Sequence, residues 1–297
     1  MTKKIRHLLE YAGVRLLTAV VTAVPLTAAR GLGRALGWLT FTAVRIRRDV
    51  TLENLRHAFP EKDEREIKAV ALATYKQFGM MMVEYLRMPK IRPQDIFSLL
   101  HVADDSPLRQ AHAAGKGAIL LTAHFGNWEY LGIHVTASGY PTTYLFQEQS
   151  NPLVDALIRD YRVGIGMDVV PRGMAVRSTL RALQKGRFVA FVADQDAGRN
   201  GIFIDFLGRP ASTPTGPARF AIKAGAPVVF CLCYRDEGGD LHGYYETLYD
   251  PATAGAASPD ETVRTILTLY NRTLEKWIRD YPDHWFWMHK RWKTRPQ

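Results

Sequence analysis

The feature that most constrains the fold is a series of short apolar runs separated by helix-like stretches. From residue 117 onward the runs are GAILLTAH (117–124), TTYLFQE (142–148), RFVAFVAD (187–194) and PVVFCLCYR (227–235). Between them stand NWEYLGIHVTASG, NPLVDALIRDYRVG, VRSTLRALQKG and TGPARFAIKAGA. Pro152 and Pro217 sit near first turns, and Gly139, Gly164, Gly186 and Gly225 stand at the ends, as helix boundaries require. GYYETLYD (243–250) reads as a further strand beside PVVFCLCYR. Strands alternating with helices specify an α/β layered fold, with a central, mostly parallel sheet flanked by helices.

Other segments read as helices. TLENLRHAF (51–59) runs up to Pro60, and DEREIKAVALATYKQFGMMMVEYL (63–86) has apolar residues at helical spacing. SPDE at 258–261 is a capping box, with Ser258 as cap and Glu261 three residues on, opening a long C-terminal helix. The chain of 297 residues holds no internal repeat and no low-complexity tract. The expected division is a basic, apolar membrane-anchoring segment over 1–48 and one catalytic domain over 49–297.

That division rests on charge. Residues 1–48 hold nine Lys and Arg against Glu10 alone, so they carry +8 of the net +10. Basic residues interleaved with apolar ones suit an anionic membrane surface. Nucleic acid is not an expected partner, because the body shows no recognition module and no basic stripe. Leu16 to Ala29 is uncharged but shorter than the roughly 20 residues of a spanning helix, and Pro25 interrupts it. A signal peptide, a single span with snorkelling arginines, and helices lying in the interface all compete. Glu10 and Arg15 disfavour the first. One or two interfacial helices on the cytoplasmic face are the favoured reading. Cys231 and Cys233, two apart on one strand, read as small core hydrophobes of a reducing compartment.

Two strand ends carry polar residues, His124 and Asp194, and ligands of such sheets bind beyond the carboxyl ends of strands. After His124 the chain reads FGNWE. Histidine is suited to proton transfer near neutral pH, and a carboxylate on its far nitrogen fixes the tautomer. A turn at Gly126 lets His124 meet Glu129 in the first turn of the following helix, whose N–H groups and dipole favour an oxyanion or a phosphate. No serine or cysteine nucleophile stands nearby in an elbow. His124 would therefore deprotonate a substrate hydroxyl for direct attack on an activated acyl group. H-E-x-x-H is absent, and no metal or other cofactor is expected at this pair. ADQDAGRNG (193–201) offers a second reading: Asp194 and Asp196 as the metal-binding DxD of a nucleotide-sugar glycosyltransferase, or simply a loop.

In order and spacing, several segments resemble the lauroyl/myristoyl acyltransferases of lipid A biosynthesis, within the glycerolipid-type acyltransferases marked by His, four residues, then an acid. They are NLRHAFPE (54–61), TAHFGNWE (122–129), NPLVDALIRDYR (151–162), VADQDAG (192–198), FLGRPASTPTGPARFAIKAGAPVV (206–229) and YPDHWFWMHKRWK (281–293), behind the basic, apolar N-terminus. The resemblance implies a bacterial inner-membrane enzyme, facing the cytoplasm, that moves an acyl chain from acyl carrier protein to a hydroxyl of a glycolipid. Acyl-coenzyme A is the alternative donor, because some relatives acylate mannosylated phosphatidylinositol with it. His124 matches the general base and Glu129 its partner acid. Arg162 matches an arginine that binds acceptor phosphate or organises the site, with Arg159 a competitor; Asp194 would orient it. Gly126 and Asn127 match the positioning turn, and Asn127, Arg162 and Asp194 are the expected substrate-binding residues. Trp285, Phe286, Trp287 and Trp292, among His289, Lys290, Arg291 and Lys293, suit a headgroup-level surface or a core edge. A monomer is the default, and a non-catalytic lipid-binding protein is the remaining alternative.

Overall fold

The structure is a computed structural model that describes residues 2–171, 173 and 175–296. The N-terminal third is helical: α1 (Lys3–Ala23), α2 (Leu26–Leu39), α3 (Arg48–Ala58) and α4 (Glu64–Leu86). A short α5 (Ile96–Leu99) leads into β1 (Leu100–Val102), α6 (Ser106–Ala113), β2 (Ala118–Thr122), α7 (Trp128–Ala137), β3 (Thr142–Phe146), α8 (Pro152–Gly164) and β4 (Asp168–Pro171). The remainder is α9 (Ala175–Gln184), β5 (Phe188–Val192), the hairpin β6 (Ile202–Phe206) and β7 (Arg209–Thr213), α10 (Gly216–Ala224), β8 (Val228–Arg235), β9 (Leu241–Tyr249) and α11 (Pro259–Asp280).

Seven strands form one sheet in the order β1-β9-β8-β2-β5-β3-β4. All neighbours are parallel except β8 and β9, which pair antiparallel. The expected mostly parallel sheet between helices is therefore what the chain forms. The strands β1 and β4 and the β6–β7 hairpin have no counterpart in the sequence reading. At three or four residues, β1 and β4 are too short to show a period, and Pro210 breaks the pattern of β7.

Local signals fix the element ends. Asp63 and Glu66 close a reciprocal capping box on α4. Ser258 and Glu261 do the same on α11, as their spacing specifies. Asn151 caps α8 by accepting from the Leu153 N–H (3.1 Å), while its Nδ2 donates to the His7 carbonyl (2.9 Å) and to Glu10 (2.8 Å). The start of α8 is thereby tied to α1.

The N-terminal helices pack on the body through an unusually close crossing. Gly33 and Gly37 of α2 face Gly79 of α4, and a Cβ at Gly33 would lie 2.5 Å from the Gly79 carbonyl oxygen. A Cβ at Gly37 would meet the Tyr75 carbonyl. None of the described helices is long and apolar enough to cross a membrane. The N-terminal segment forms two helices with Leu8, Leu9, Leu16 and Trp38 exposed, and the glycine face of α2 meets α4.

Gly37→Ala forces two backbones apart and should lower stability by about 1–3 kcal/mol, as overpacking does. Gly31→Ala on the open side of α2, where a Cβ meets nothing within 4 Å, should be neutral or stabilising by up to about 1 kcal/mol. Denaturant unfolding of the two variants checks the contrast, and equal midpoints would refute the close crossing.

Candidate active site

The site is set by strand register. β2 and β5 are parallel neighbours, with Thr122 paired to Val192. His124 and Asp194 each lie two residues beyond their partner in that pair, so they meet at one edge of the sheet. The His124 Nδ1–H donates to Asp194 Oδ1 (2.8 Å), and the His124 backbone N–H donates to Oδ2 (3.1 Å). The Trp285 indole N–H donates to the same Oδ2 (2.8 Å). Asp194 is buried, whereas the His124 side chain keeps 24% of its exposure. Its Nε2 has no hydrogen-bond partner among the described residues and is left for a ligand.

Burial alone would lower the pKa of His124. The charge of Asp194, the hydrogen bond to it and the charge of Glu129 outweigh burial and hold His124 above the ordinary histidine value. Burial alone would raise Asp194; the charge of His124, with hydrogen bonds from His124 and Trp285, keeps it below the ordinary carboxylate range.

Glu129 is not placed as the histidine's hydrogen-bond partner. Its carboxylate is held by Arg162, Nη2 to Oε1 at 2.5 Å and Nε to Oε2 at 3.1 Å, and by the Trp128 indole N–H (3.1 Å). Five residues from a histidine at the strand end, Glu129 falls in the first turn of α7 on the side that faces α8. There it acts on His124 through its charge alone. Arg162, expected to meet substrate and be oriented by Asp194, is held by Glu129 rather than Asp194, lies over the rings of Tyr85 and Phe146, and lines the same cavity as His124. Arg159 is exposed and makes none of these contacts.

Asn127 was expected at substrate and is not available to it. It is buried, its Oδ1 accepts the Tyr130 N–H (3.0 Å) as the cap of α7, and its Nδ2 donates to Glu84 (2.8 Å). Gly126, at φ 53°, makes the turn, and a Cβ there would strike the Cys233 carbonyl of β8.

The C-terminal segment closes the site. Phe125 and Trp285 form an antiparallel bridge; the Gly126 N–H donates to the His284 carbonyl (2.9 Å) and the Phe286 N–H to the His124 carbonyl (3.0 Å). Trp285, Trp287 and Arg291 are almost fully buried. The headgroup-surface reading of these tryptophans gives way to a core one. A buried indole N–H needs an acceptor, and for Trp285 Asp194 supplies it.

His124 opens on a cavity of about 710 Å³. Successive residues of a strand face opposite sides, and both Ala190 and Phe191 line the cavity, so it dips along both faces of the sheet. The arm beside α7 is lined by Leu120, Leu131, Gly132, Val135, Tyr144 and Met167, and the arm beside α10 by Leu145, Phe191, Pro217 and Phe220. An apolar cavity with a few polar groups at its mouth suits a ligand with a long hydrocarbon chain. Asp196 accepts from Thr294 and from the Gly198 N–H, and Asp194 from His124 and Trp285. The two aspartates are thus held by donors of the chain itself, and the DxD reading gains nothing from their geometry.

The sequence profile described as bacterial lipid A biosynthesis acyltransferase matches residues 1–294. The chain is 27% identical to the lipid A biosynthesis lauroyltransferase of Escherichia coli K12, over 98% of this chain and 94% of that protein. It is 25% identical to the lipid A biosynthesis palmitoleoyltransferase of the same organism, over 89% and 85% respectively. It is 30% identical to the phosphatidylinositol mannoside acyltransferase of Mycobacterium tuberculosis, over 56% and 55%.

Removing the Asp194 charge should move the histidine in a fixed direction. In Asp194→Asn, burial is left opposed only by Glu129, so His124 should titrate lower than in the intact protein. Imidazole nitrogen NMR across pH 5–9 reads both values, and an unchanged titration would refute the pairing.

Proposed function

Because this chain belongs to the bacterial lipid A biosynthesis acyltransferase family, we propose that it transfers a fatty acyl group from a thioester, with acyl carrier protein as donor, to a hydroxyl of a lipid A precursor, with His124 as general base. The observation that carries the reading is the His124 ring itself: Nδ1 is held by buried Asp194, and Nε2 is left open beside an apolar cavity.

In the proposed reaction, Nε2 takes the proton of the acceptor hydroxyl as its oxygen attacks the thioester carbonyl carbon. The imidazolium that forms is stabilised by Asp194. The tetrahedral oxyanion forms beside the first turn of α7, whose N-terminal dipole end favours negative charge. It collapses with loss of the thiolate, which takes the proton from Nε2 to leave as a thiol, and the product is an ester. The Glu129–Arg162 pair fixes the entrance to α7. The arm beside α7 takes the donor chain, and its depth selects the chain length.

Attachment to the cytoplasmic face of the inner membrane fits the N-terminal surface. Exposed Leu8, Leu9, Leu16 and Trp38 stand among exposed Lys3, Lys4, Arg15 and Arg34. A helix with that composition lies in the interface, its apolar face at the acyl boundary and its cations at anionic headgroups.

The test is acyl transfer by detergent-purified protein from lauroyl-acyl carrier protein to a tetra-acylated lipid A precursor, read by mass spectrometry. His124→Ala should lose about 10²–10⁴-fold in kcat while remaining folded, the range of a general base. Full activity in that folded variant would reject the mechanism. Gly132→Val tests the donor arm, because the nearest atom to a new Cβ is the Met167 methyl at 2.8 Å. In a mixture of thioesters it should shift the product toward shorter acyl chains, and an unaltered product distribution would place the donor chain elsewhere.

A further inference from the structure

A second groove, of about 760 Å³, runs between α9 and the strands β3 and β4. Its wall carries Arg177, Arg181, Lys185 and Arg187. Arg187 is held by Asp168 (2.7 Å) and by the Thr142 carbonyl (3.2 Å). Arg177, Arg181 and Lys185 are exposed and have no ion-pair partner among the described residues. Their spacing of four puts them on one face of α9 and its continuation, a row about 12 Å long at 1.5 Å per residue. Val176, exposed at the start of the row, lines both this groove and the catalytic cavity. The row therefore ends at the mouth of the site.

We propose that this row is the docking surface for an acidic acyl carrier protein, which it aligns so that the thioester enters beside Val176. The inference rests on the acyl-transfer reading above and names the partner's landing place. The arrangement of the cations argues for an extended partner. They follow one another turn by turn along a rod and do not converge, as they would around a single phosphate. A helix with carboxylates at the same spacing matches them. Their setting argues against a bilayer. Ser178 and Gln184 accompany them, and Val176 is the sole exposed large apolar residue of α9 among the described residues. The mixture of exposed leucines and cations that suits a lipid surface lies instead on α1 and α2.

The test compares wild type with the triple variant Arg177→Glu, Arg181→Glu, Lys185→Glu, using lauroyl thioesters of acyl carrier protein, coenzyme A and pantetheine. All three substitutions are on the surface, and circular dichroism confirms the fold. With the carrier protein the variant should lose about tenfold or more in kcat/KM, chiefly through KM, and lose its salt dependence; with pantetheine it should stay within about twofold. Fluorescence titration of labelled acyl carrier protein onto the resting enzyme should show the same weakening, and binding to anionic vesicles should be unaltered. Equal losses with carrier protein and coenzyme A would make the row a phosphate site and overturn the proposal. So would a loss with all three donors, lost vesicle binding with an intact titration, or no effect. If wild type used no thioester, the proposed chemistry would fall, while the titration would still decide the docking surface.

Discussion

The site depends on one buried carboxylate. Glu84 of α4 is fully buried and receives Arg30 of α2 (2.6 Å), Arg235 at the end of β8 (2.7 and 2.9 Å) and the Asn127 amide (2.8 Å). Each donor comes from a different part of the chain: the N-terminal helices, the sheet, and the turn that carries His124. Removing one partner of such a pair generally costs about 3–5 kcal/mol, because the remaining charge stays buried without compensation. Glu84 therefore couples the N-terminal helices to the turn that carries His124. Asn127 is the link, since the amide that reaches Glu84 also caps α7. The glycine crossing of α2 and α4 and the Arg30–Glu84 pair join the same two helices.

A second coupling comes from the other terminus. The segment after α11 lies antiparallel along the turn that carries His124, and its indole fixes the carboxylate that fixes the histidine. Behind it, Arg291 donates to the Ser212 carbonyl (2.6 Å) and to Thr213 (2.9 Å), anchoring the tail to the β6–β7 hairpin. His124 is thus held by three segments far apart in sequence. In the proposed reaction, preorganisation of this kind leaves little reorganisation to the chemical step.

The two carboxylates of the site have different surroundings, which suit them to different tasks in the proposed reaction. Asp194 is buried against a ring that can gain a proton, so its charge is balanced when the ring is charged. Glu129 is matched permanently by Arg162, so its negative charge is fixed and largely neutralised. Asp194 is the better partner for a base that changes charge during a reaction, and the Glu129–Arg162 pair is the better brace.

The alternation of apolar runs with helical stretches was enough to specify a mostly parallel α/β sheet, because that pattern is local and the longer strands each declare themselves. His124 and Asp194 were likewise visible as polar residues at the ends of apolar strands, and the cap of α11 was visible from spacing. What the sequence could not specify was which strands are neighbours. β5 inserts between β2 and β3, so Asp194 is beside His124 although they are 70 positions apart in sequence. A reading confined to short separations pairs His124 with Glu129 instead. The same limit hid Glu84, one glutamate in an amphipathic helix until three donors converge on it, and Trp285, whose neighbour in space is an aspartate 91 residues away. Local chemistry is written in short spacings; the partners of a buried charge are chosen by packing, and packing belongs to the whole chain.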